Sequence, residues 1–259
     1  MIIALYSLVF IFGSLIGSFL NVVIYRLPLG MSVMRPPSHC PKCKKGVPFY
    51  LNLPVLGYLL LKGKCKFCGV KIPWRYPLIE LLVGLFAVAL FPGPEMFVDG
   101  FLLFKFAYYF SIACVFLCHL VIDLEHHLLL DKLNLYLLVV TLPYALFTQG
   151  LIPPLLGGAF GFGATYAIAK FFLKFKGVEG LGGGDIKLFG VLGIMLGIQG
   201  VVSTIFMSSL IGSVVSIALM MAKKMDRSTQ FAFGPYILLV ATFQVFFPRL
   251  YESVNFLFM

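Results

Sequence analysis

Long uninterrupted apolar runs dominate this sequence and constrain its fold more than any other feature. Most of them approach the roughly 20 residues that a helix needs to cross the hydrocarbon core of a bilayer. The runs cover residues 2–25, 77–92, 101–122, 133–148, 151–173, 186–198, 200–222 and 235–257. Only 12% of the 259 residues are charged, which is too few to cover a soluble globule. The sequence therefore predicts an all-α, polytopic membrane protein with about eight transmembrane helices embedded in a lipid bilayer.

The distribution of positive charge predicts which loops face the cytoplasm. The net charge is +10, and ten of the twenty Lys and Arg residues lie between Arg26 and Arg75. Most of the others are Lys170, Lys174, Lys176, Lys187, Lys223, Lys224 and Arg227. Eight spans with the N-terminus outside would put all of these residues on the cytoplasmic side, as the positive-inside rule expects. The charge therefore indicates topology, and no nucleic-acid partner is expected.

The polar interruption at residues 26–75 predicts a small cytoplasmic domain between the first and second helices. Residues 1–25 precede it as an N-terminal anchor; they have no basic residue before the apolar run, unlike a signal peptide. Residues 76–259 form the remaining membrane domain. Fifty polar residues rarely build a stable core alone, so the small domain needs a covalent or metal staple.

Four cysteines supply that staple in the pattern C-x2-C-x21-C-x2-C. They are Cys40, Cys43, Cys65 and Cys68. Each pair brackets a tight turn, so that two thiolates can meet one metal and two pairs can complete a tetrahedron. Disulfides are the alternative, but the reducing cytoplasm disfavours them. We predict a structural Zn²⁺ ion whose four ligands leave no open catalytic position.

Two aspartates are the candidate catalytic residues. Asp123 ends the third apolar run, and Asp185 opens the sixth, directly after Gly182, Gly183 and Gly184. Neighbouring aspartates can share a proton, so that one activates water while the other protonates a carbonyl, as in aspartic proteases. Bare glycine backbone allows an extended peptide to approach closely.

Structural roles are the alternatives for these acids. Asp185 could be only a helix cap or dipole partner, and Asp123 an interfacial charge that reaches water. Asp131 is a weaker catalytic candidate that could cap the next helix or support a neighbour. HExxH, GxSxG and the phosphate-binding loop G-x4-G-K-[ST] do not occur, which argues against zinc proteases, serine nucleophiles and phosphate chemistry.

Several motifs, in order along the chain, resemble those of the type IV prepilin peptidases. They are GSFLNVVIYRLP, PPSHCPKC, NLPVLGYLLLKGKCKFCG, RYPLIELL, IDLEHHLLLD, GGGDIKL and FGPYI. This family comprises bacterial inner-membrane aspartic proteases that remove the basic leader from prepilins and from type II secretion pseudopilins. The resemblance implies that Asp123 and Asp185 are catalytic, with Asp185 ending the GxGD motif. It also implies that the four cysteines bind metal. Leu130 and Gly57-Tyr58 depart from the common family pattern, but neither departure touches the two aspartates.

The same resemblance implies a second activity, methylation of the new N-terminal amine with S-adenosylmethionine. No G-x-G-x-x-G cradle follows a predicted strand. Any methyl-donor site would use the cytoplasmic domain and the adjacent helix ends. There the candidates are Glu80, an intramembrane acid that needs a partner, and Gly84, one turn further on. Alternatively, Glu80 pairs with Arg75 or Lys71, and Gly84 permits close helix packing.

Two functions from other classes compete with the peptidase. An ion-coupled transporter would explain intramembrane acids. However, carriers commonly contain internal repeats, none of which is evident here, and a four-cysteine domain has no obvious role in transport. A non-catalytic scaffold for pilus or secretion assembly would make both aspartates dispensable.

Overall fold

The computed structural model describes residues 2–177, 180–222 and 232–255, and these ranges are predominantly helical. The helices are α1 (Ile2–Arg26), α2 (Leu56–Leu60), α3 (Arg75–Leu90), α4 (Gly100–His126), α5 (Asp131–Gln149), α6 (Ile152–Lys176), α7 (Gly183–Met221), α8 (Gly234–Phe246) and α9 (Pro248–Asn255). Short 3₁₀ turns cover Phe49–Leu51 and Pro94–Phe97. Within the described ranges no β-strand forms, and only two isolated bridges occur. Lys223, Lys224 and Arg227 lie outside the described residues.

An all-helical membrane fold is confirmed, whereas the predicted count of eight spans is not. Four helices, α1, α4, α6 and α7, are long and apolar enough to cross a membrane. Helices α3 and α8 have only 16 and 13 residues. Two predicted spans fall within α7 and are separated by a kink at Gly197, where φ is 70°. The last predicted span is interrupted after Phe246, and its final residues lie outside the described ranges.

The chain divides into two compact units, Met1–Cys114 and Val115–Met259. In the first unit, helices α1 and α3 pack together through small residues. A Cβ added to Gly13 would lie 2.6 Å from the Cβ of Ala87, and one added to Gly17 would lie 2.8 Å from the Cα of Glu80. Such contacts need bare backbone, because glycine lets two membrane helices approach closely. The predicted division at residues 25 and 75 remains a prediction.

In the second unit, helices α6 and α7 also make close backbone contacts. Gly157 and Gly161 on α6 lie against the carbonyl oxygens of Gly193 and Phe189 on α7, respectively. Near the α7 kink, the side chain of Gln149 donates a hydrogen bond of 3.1 Å to the Met195 carbonyl. This bond satisfies a carbonyl in the turn just before the kink, where regular helical bonding breaks.

The ends of α6 show how local sequence sets a boundary. Proline occupies its first turn, where a missing N–H costs no helical hydrogen bond. Lys174 and Lys176 occupy its last turn, where positive charge favours the helix dipole. Gly177 then ends the helix in the left-handed conformation, with φ of 68°.

Candidate functional site

Asp123 lies in the last turn of α4 and is buried, with only 4% of its surface exposed. Its Oδ2 atom has no hydrogen-bond partner with good geometry among the described residues. The backbone of Gly234, the first residue of α8, lies beside this carboxylate: a Cβ at that glycine would be only 2.6 Å from Oδ2. The first residue of α8, at the positive end of its dipole, is therefore in contact with a buried acid.

Asp185 lies in the first turn of α7 and is half-buried. Its Oδ2 atom accepts a hydrogen bond of 3.1 Å from the Gly182 N–H. This contact is the reciprocal half of a capping box, so Asp185 does help to cap its helix. It also interacts electrostatically with Asp123. The structure therefore brings the two predicted aspartates together, each beside the positive end of a helix.

The three glycines before Asp185 have different surroundings. A Cβ at Gly184 would lie 2.5 Å from the Leu129 carbonyl oxygen, so backbone fills that space. A Cβ at Gly182 would lie 2.8 Å from the Asp185 carboxylate itself. Nothing lies within 4 Å of the corresponding position at Gly183. The first and third glycines therefore need to be bare, whereas the second has room for a side chain.

Asn134 fixes the position of the glycine segment, a role that the sequence interpretation missed. Its Nδ2 donates a hydrogen bond of 3.1 Å to the Gly184 carbonyl, immediately before Asp185. Asn134 is buried on α5 and lies next to His119, which is fully buried on α4. A polar side chain in the apolar run 133–148 was the available signal. Only the structure shows what it contacts.

Asp131 lies outside this buried group. Its Oδ2 is 2.6 Å from the Nζ of Lys187, and their side chains are 67% and 50% exposed. The ion pair joins the first turns of α5 and α7. Because it is solvent-exposed, it contributes at most about 1 kcal/mol to stability. The contact supports the interpretation that Asp131 assists a neighbouring element.

The four predicted metal-binding cysteines form a single cluster. Their sulfur atoms all lie within 4.8 Å of one another. The closest distances are 3.7 Å between Cys40 and Cys68 and 4.0 Å between Cys43 and Cys65. With Zn–S bonds of about 2.3 Å, a tetrahedral site needs sulfurs about 3.8 Å apart. The cluster is therefore a metal site in size and donor chemistry.

The two halves of this cluster share one backbone pattern. In each, the N–H of the first cysteine donates to the carbonyl five residues later, at 2.8 to 3.0 Å. The residue four positions after the first cysteine donates back to its carbonyl, at 2.9 Å. That residue has positive φ in both halves: Lys44 at 59° and Gly69 at 68°. Two equivalent turns thus present the cysteine pairs.

The surroundings of the sulfurs shift the pKa values of two of the cysteines in opposite directions. The Cys43 N–H donates a hydrogen bond to the Cys40 sulfur and so lowers the pKa of Cys40 to about 6. The Val70 N–H also favours the thiolate of Cys68, but desolvation and the three neighbouring sulfurs outweigh it and raise that pKa to about 11. Crowded thiolates repel one another, and a divalent cation would remove this repulsion.

Glu80 and Gly84, the candidates for a methyl-donor site, both have structural partners in the first unit. The Val55 N–H donates a hydrogen bond of 2.7 Å to Glu80 Oε2. A Cβ at Gly84 would lie 2.5 Å from Ser14 Oγ and 2.7 Å from Phe10 Cε2. The bare backbone of Gly84 therefore serves helix packing. A methyl-donor site at Glu80 and Gly84 remains a prediction.

Fold and site together define a helical membrane protein that carries two neighbouring aspartates, one buried and one half-buried, and a four-cysteine cluster that fits a metal ion. Residues 110–217, which include both aspartates, match the type IV leader peptidase family. Residues 11–92, which include all four cysteines, match the bacterial peptidase A24 N-terminal domain. The chain belongs to this peptidase family.

Similar proteins support the assignment over most of the chain. A prepilin leader peptidase/N-methyltransferase from Neisseria gonorrhoeae is 36% identical over 254 residues, covering 87% of this chain and 84% of that protein. Proteins of the same name from Xanthomonas campestris pv. campestris and Aeromonas salmonicida are 35% and 34% identical. They cover 91% and 90% of this chain, and the matches span 88% and 87% of those proteins. No solved structure matches the chain significantly.

Proposed function

We propose that this protein is an aspartic endopeptidase that removes the leader peptide from prepilins and type II secretion pseudopilins. We also propose that it methylates the new N-terminus. The observation that carries the peptidase proposal is the approach of Asp123, beside Gly234, to Asp185, which directly follows three glycines. The relatives' shared name supports both activities and favours them over a transporter or an assembly scaffold.

The proposed reaction uses the two carboxyl groups in opposite protonation states. The ionised carboxylate takes a proton from a water molecule as the water oxygen attacks the scissile carbonyl carbon. The protonated partner donates its proton to the carbonyl oxygen, which gives a neutral tetrahedral intermediate. The C–N bond then breaks as the proton gained from water passes to the leaving amine. One hydroxyl of the intermediate returns its proton to the partner carboxylate as the C=O bond re-forms. Like charges this close favour one shared proton, which keeps the pair ready for this exchange.

The glycine segment would give the substrate access to this pair. An extended peptide can lie against Gly183, where no atom of the protein occupies the side-chain space. Asn134 and Leu129 hold the following residue, Gly184, so that Asp185 keeps its position while the substrate binds. Preorganisation of this kind lowers the barrier because geometry is fixed before reaction.

We propose that the four-cysteine centre holds Zn²⁺ as a structural ion. Four thiolates would complete its coordination, so the ion would stabilise the segment between α1 and α3. S-adenosylmethionine would supply the methyl group for the second activity. We propose Glu80 and Gly84 as residues near the methyl-donor site; both also have structural contacts, a hydrogen bond from the Val55 N–H and close helix packing.

We further propose that this multi-pass protein of the bacterial inner membrane places its active site and cysteine centre toward the cytoplasm. The ten basic residues between Arg26 and Arg75 support this orientation. The eight proposed crossings are α1, α3, α4, α5, α6, the two parts of α7, and α8. The basic leader of a substrate would then remain in the cytoplasm while its apolar helix stays among lipids.

Mass spectrometry of a full-length prepilin incubated with purified enzyme in detergent tests the peptidase. The intact enzyme should release the leader, whereas D123N and D185N should not. D131N provides the matched control, because it removes an exposed carboxylate near the same helix ends. Adding S-adenosylmethionine should increase the product mass by about 14 Da, the mass of one methylene. Full cleavage by either D123N or D185N would contradict the proposed pair.

A further inference from the structure

The short helix α2 presents an apolar face that none of the described residues covers. Leu56, Leu59 and Leu60 are 58%, 62% and 70% exposed. On the opposite side, Gly57 is buried against the Leu51 carbonyl so closely that a Cβ could not fit. The helix therefore packs inward through a glycine and exposes three leucines. Water is an unfavourable neighbour for three adjacent leucines.

The charge around α2 identifies the kind of surface that could cover it. The segment from Arg26 to Arg75 contains ten basic residues and no Asp or Glu. Two of the basic residues, Lys62 and Lys64, follow α2 directly and are exposed. A helix that combines exposed leucines with adjacent lysines is typical of segments that lie in the headgroup region of a membrane.

A hydrogen bond between the loop and the membrane helices fixes the position of α2. Val55, immediately before α2, donates its N–H to Glu80 Oε2 at 2.7 Å. Glu80 is the sixth residue of α3, about 7.5 Å along the helix axis from its first residue. Its Cα also lies against Gly17 of α1. The residue that precedes α2 is therefore held about 7.5 Å from the start of α3, which places α2 close to the first turns of that helix.

We propose that α2 is an interfacial anchor that binds the anionic surface of the bilayer. Leu56, Leu59 and Leu60 lie among the upper acyl chains, and Lys62 and Lys64 contact lipid phosphates. A bound partner protein or a second copy of this chain would also cover leucines. The charge of the segment favours the anionic bilayer, which is necessarily within reach because both ends of the segment continue into apolar helices. The anchor does not depend on the proposed peptidase activity.

The sole tryptophan of the chain allows a direct test. Trp74 is the only one present, so the double variant W74F/L60W moves the fluorescent probe onto α2. The full-length variant is reconstituted into vesicles of phosphatidylethanolamine with phosphatidylglycerol, and separately into phosphatidylcholine. Quenching by lipids brominated near the headgroup is compared with quenching by aqueous iodide.

The proposal expects strong quenching by brominated lipid in anionic vesicles and much weaker quenching in zwitterionic ones. Adding K62Q and K64Q should lower the ratio of docked to undocked α2 roughly thirtyfold, since each lysine near an anionic surface contributes about a fivefold factor. Unchanged helical circular dichroism controls for folding. If iodide quenches the tryptophan in anionic vesicles, α2 does not dock into lipid and the proposal is wrong. A protein would then be the remaining candidate to cover the leucines. Quenching that is independent of lipid charge, or unchanged by the lysine substitutions, would also overturn it.

Discussion

Replacing single glycines in the segment before Asp185 should give opposite results at adjacent positions. In G184A, the new Cβ would lie 2.5 Å from the Leu129 carbonyl oxygen and 2.8 Å from its Cβ. Ordinary contact begins at about 3.4 Å, so the backbone would have to move by about 0.9 Å. Overpacking of this kind costs about 1–3 kcal/mol. Because Asp185 is the next residue, the same shift would misplace its carboxylate, and a displacement near 1 Å can reduce the rate about 100-fold.

G183A is the matched control for this experiment. It adds the same methyl group one residue earlier, where nothing lies within 4 Å, and alanine favours the start of α7. Steady-state cleavage of a prepilin in detergent would give kcat and KM for both variants. We expect kcat to fall about 100-fold in G184A but less than about twofold in G183A, whose added methyl meets only the bound peptide and should raise KM instead. Equal kcat values for the two variants would refute the steric explanation.

Three further predictions follow from individual contacts. N134L should reduce kcat about 10-fold, because the Gly184 carbonyl loses a hydrogen-bond donor worth about 1–3 kcal/mol. T141V, at another buried position of α5, is the control and should leave cleavage unchanged. Full activity of N134L would show that the hydrogen bond does not contribute to catalysis. D131N should cleave a prepilin at a rate within about fivefold of the unmutated enzyme, because the ion pair of Asp131 with Lys187 is exposed. Loss of activity would instead indicate a catalytic role for Asp131. Removing the metal with a strong chelator, or introducing C65S, should unfold the cysteine segment while the membrane helices persist. A zinc-sensitive dye measures metal release, and limited proteolysis measures unfolding. Unchanged protease resistance after chelation would argue against a structural ion.

The sequence predicted both candidate centres because their chemistry depends on residue type and spacing. C-x2-C pairs fix two tight turns whatever the rest of the fold does, and the sulfur cluster confirms the expected convergence of the four cysteines. The two aspartates stood out because charged residues are costly beside long apolar runs. Their proximity was an expectation, and the electrostatic contact between them supports it.

The supporting contacts could not be predicted because they join residues far apart in the chain. Nothing in the sequence pairs Asn134 with Gly184, or Gly234 with Asp123. The acceptor role of Glu80 toward the Val55 N–H was also not predicted. A buried carboxylate needs a donor, but the nearest N–H in space depends on how the loop folds.

The sequence by itself determined the environment, the helical class and the chemical groups, because hydropathy and motif spacing are local properties. The number of membrane crossings was harder to predict. Hydropathy gives two spans where α7 is one helix with a kink at Gly197. It gives one continuous span where the helix is interrupted after Phe246. Only the tertiary structure decided which glycines serve packing and which leave the site open. A glycine has no side chain to identify its role, so its role depends entirely on the atoms that the fold brings next to its backbone.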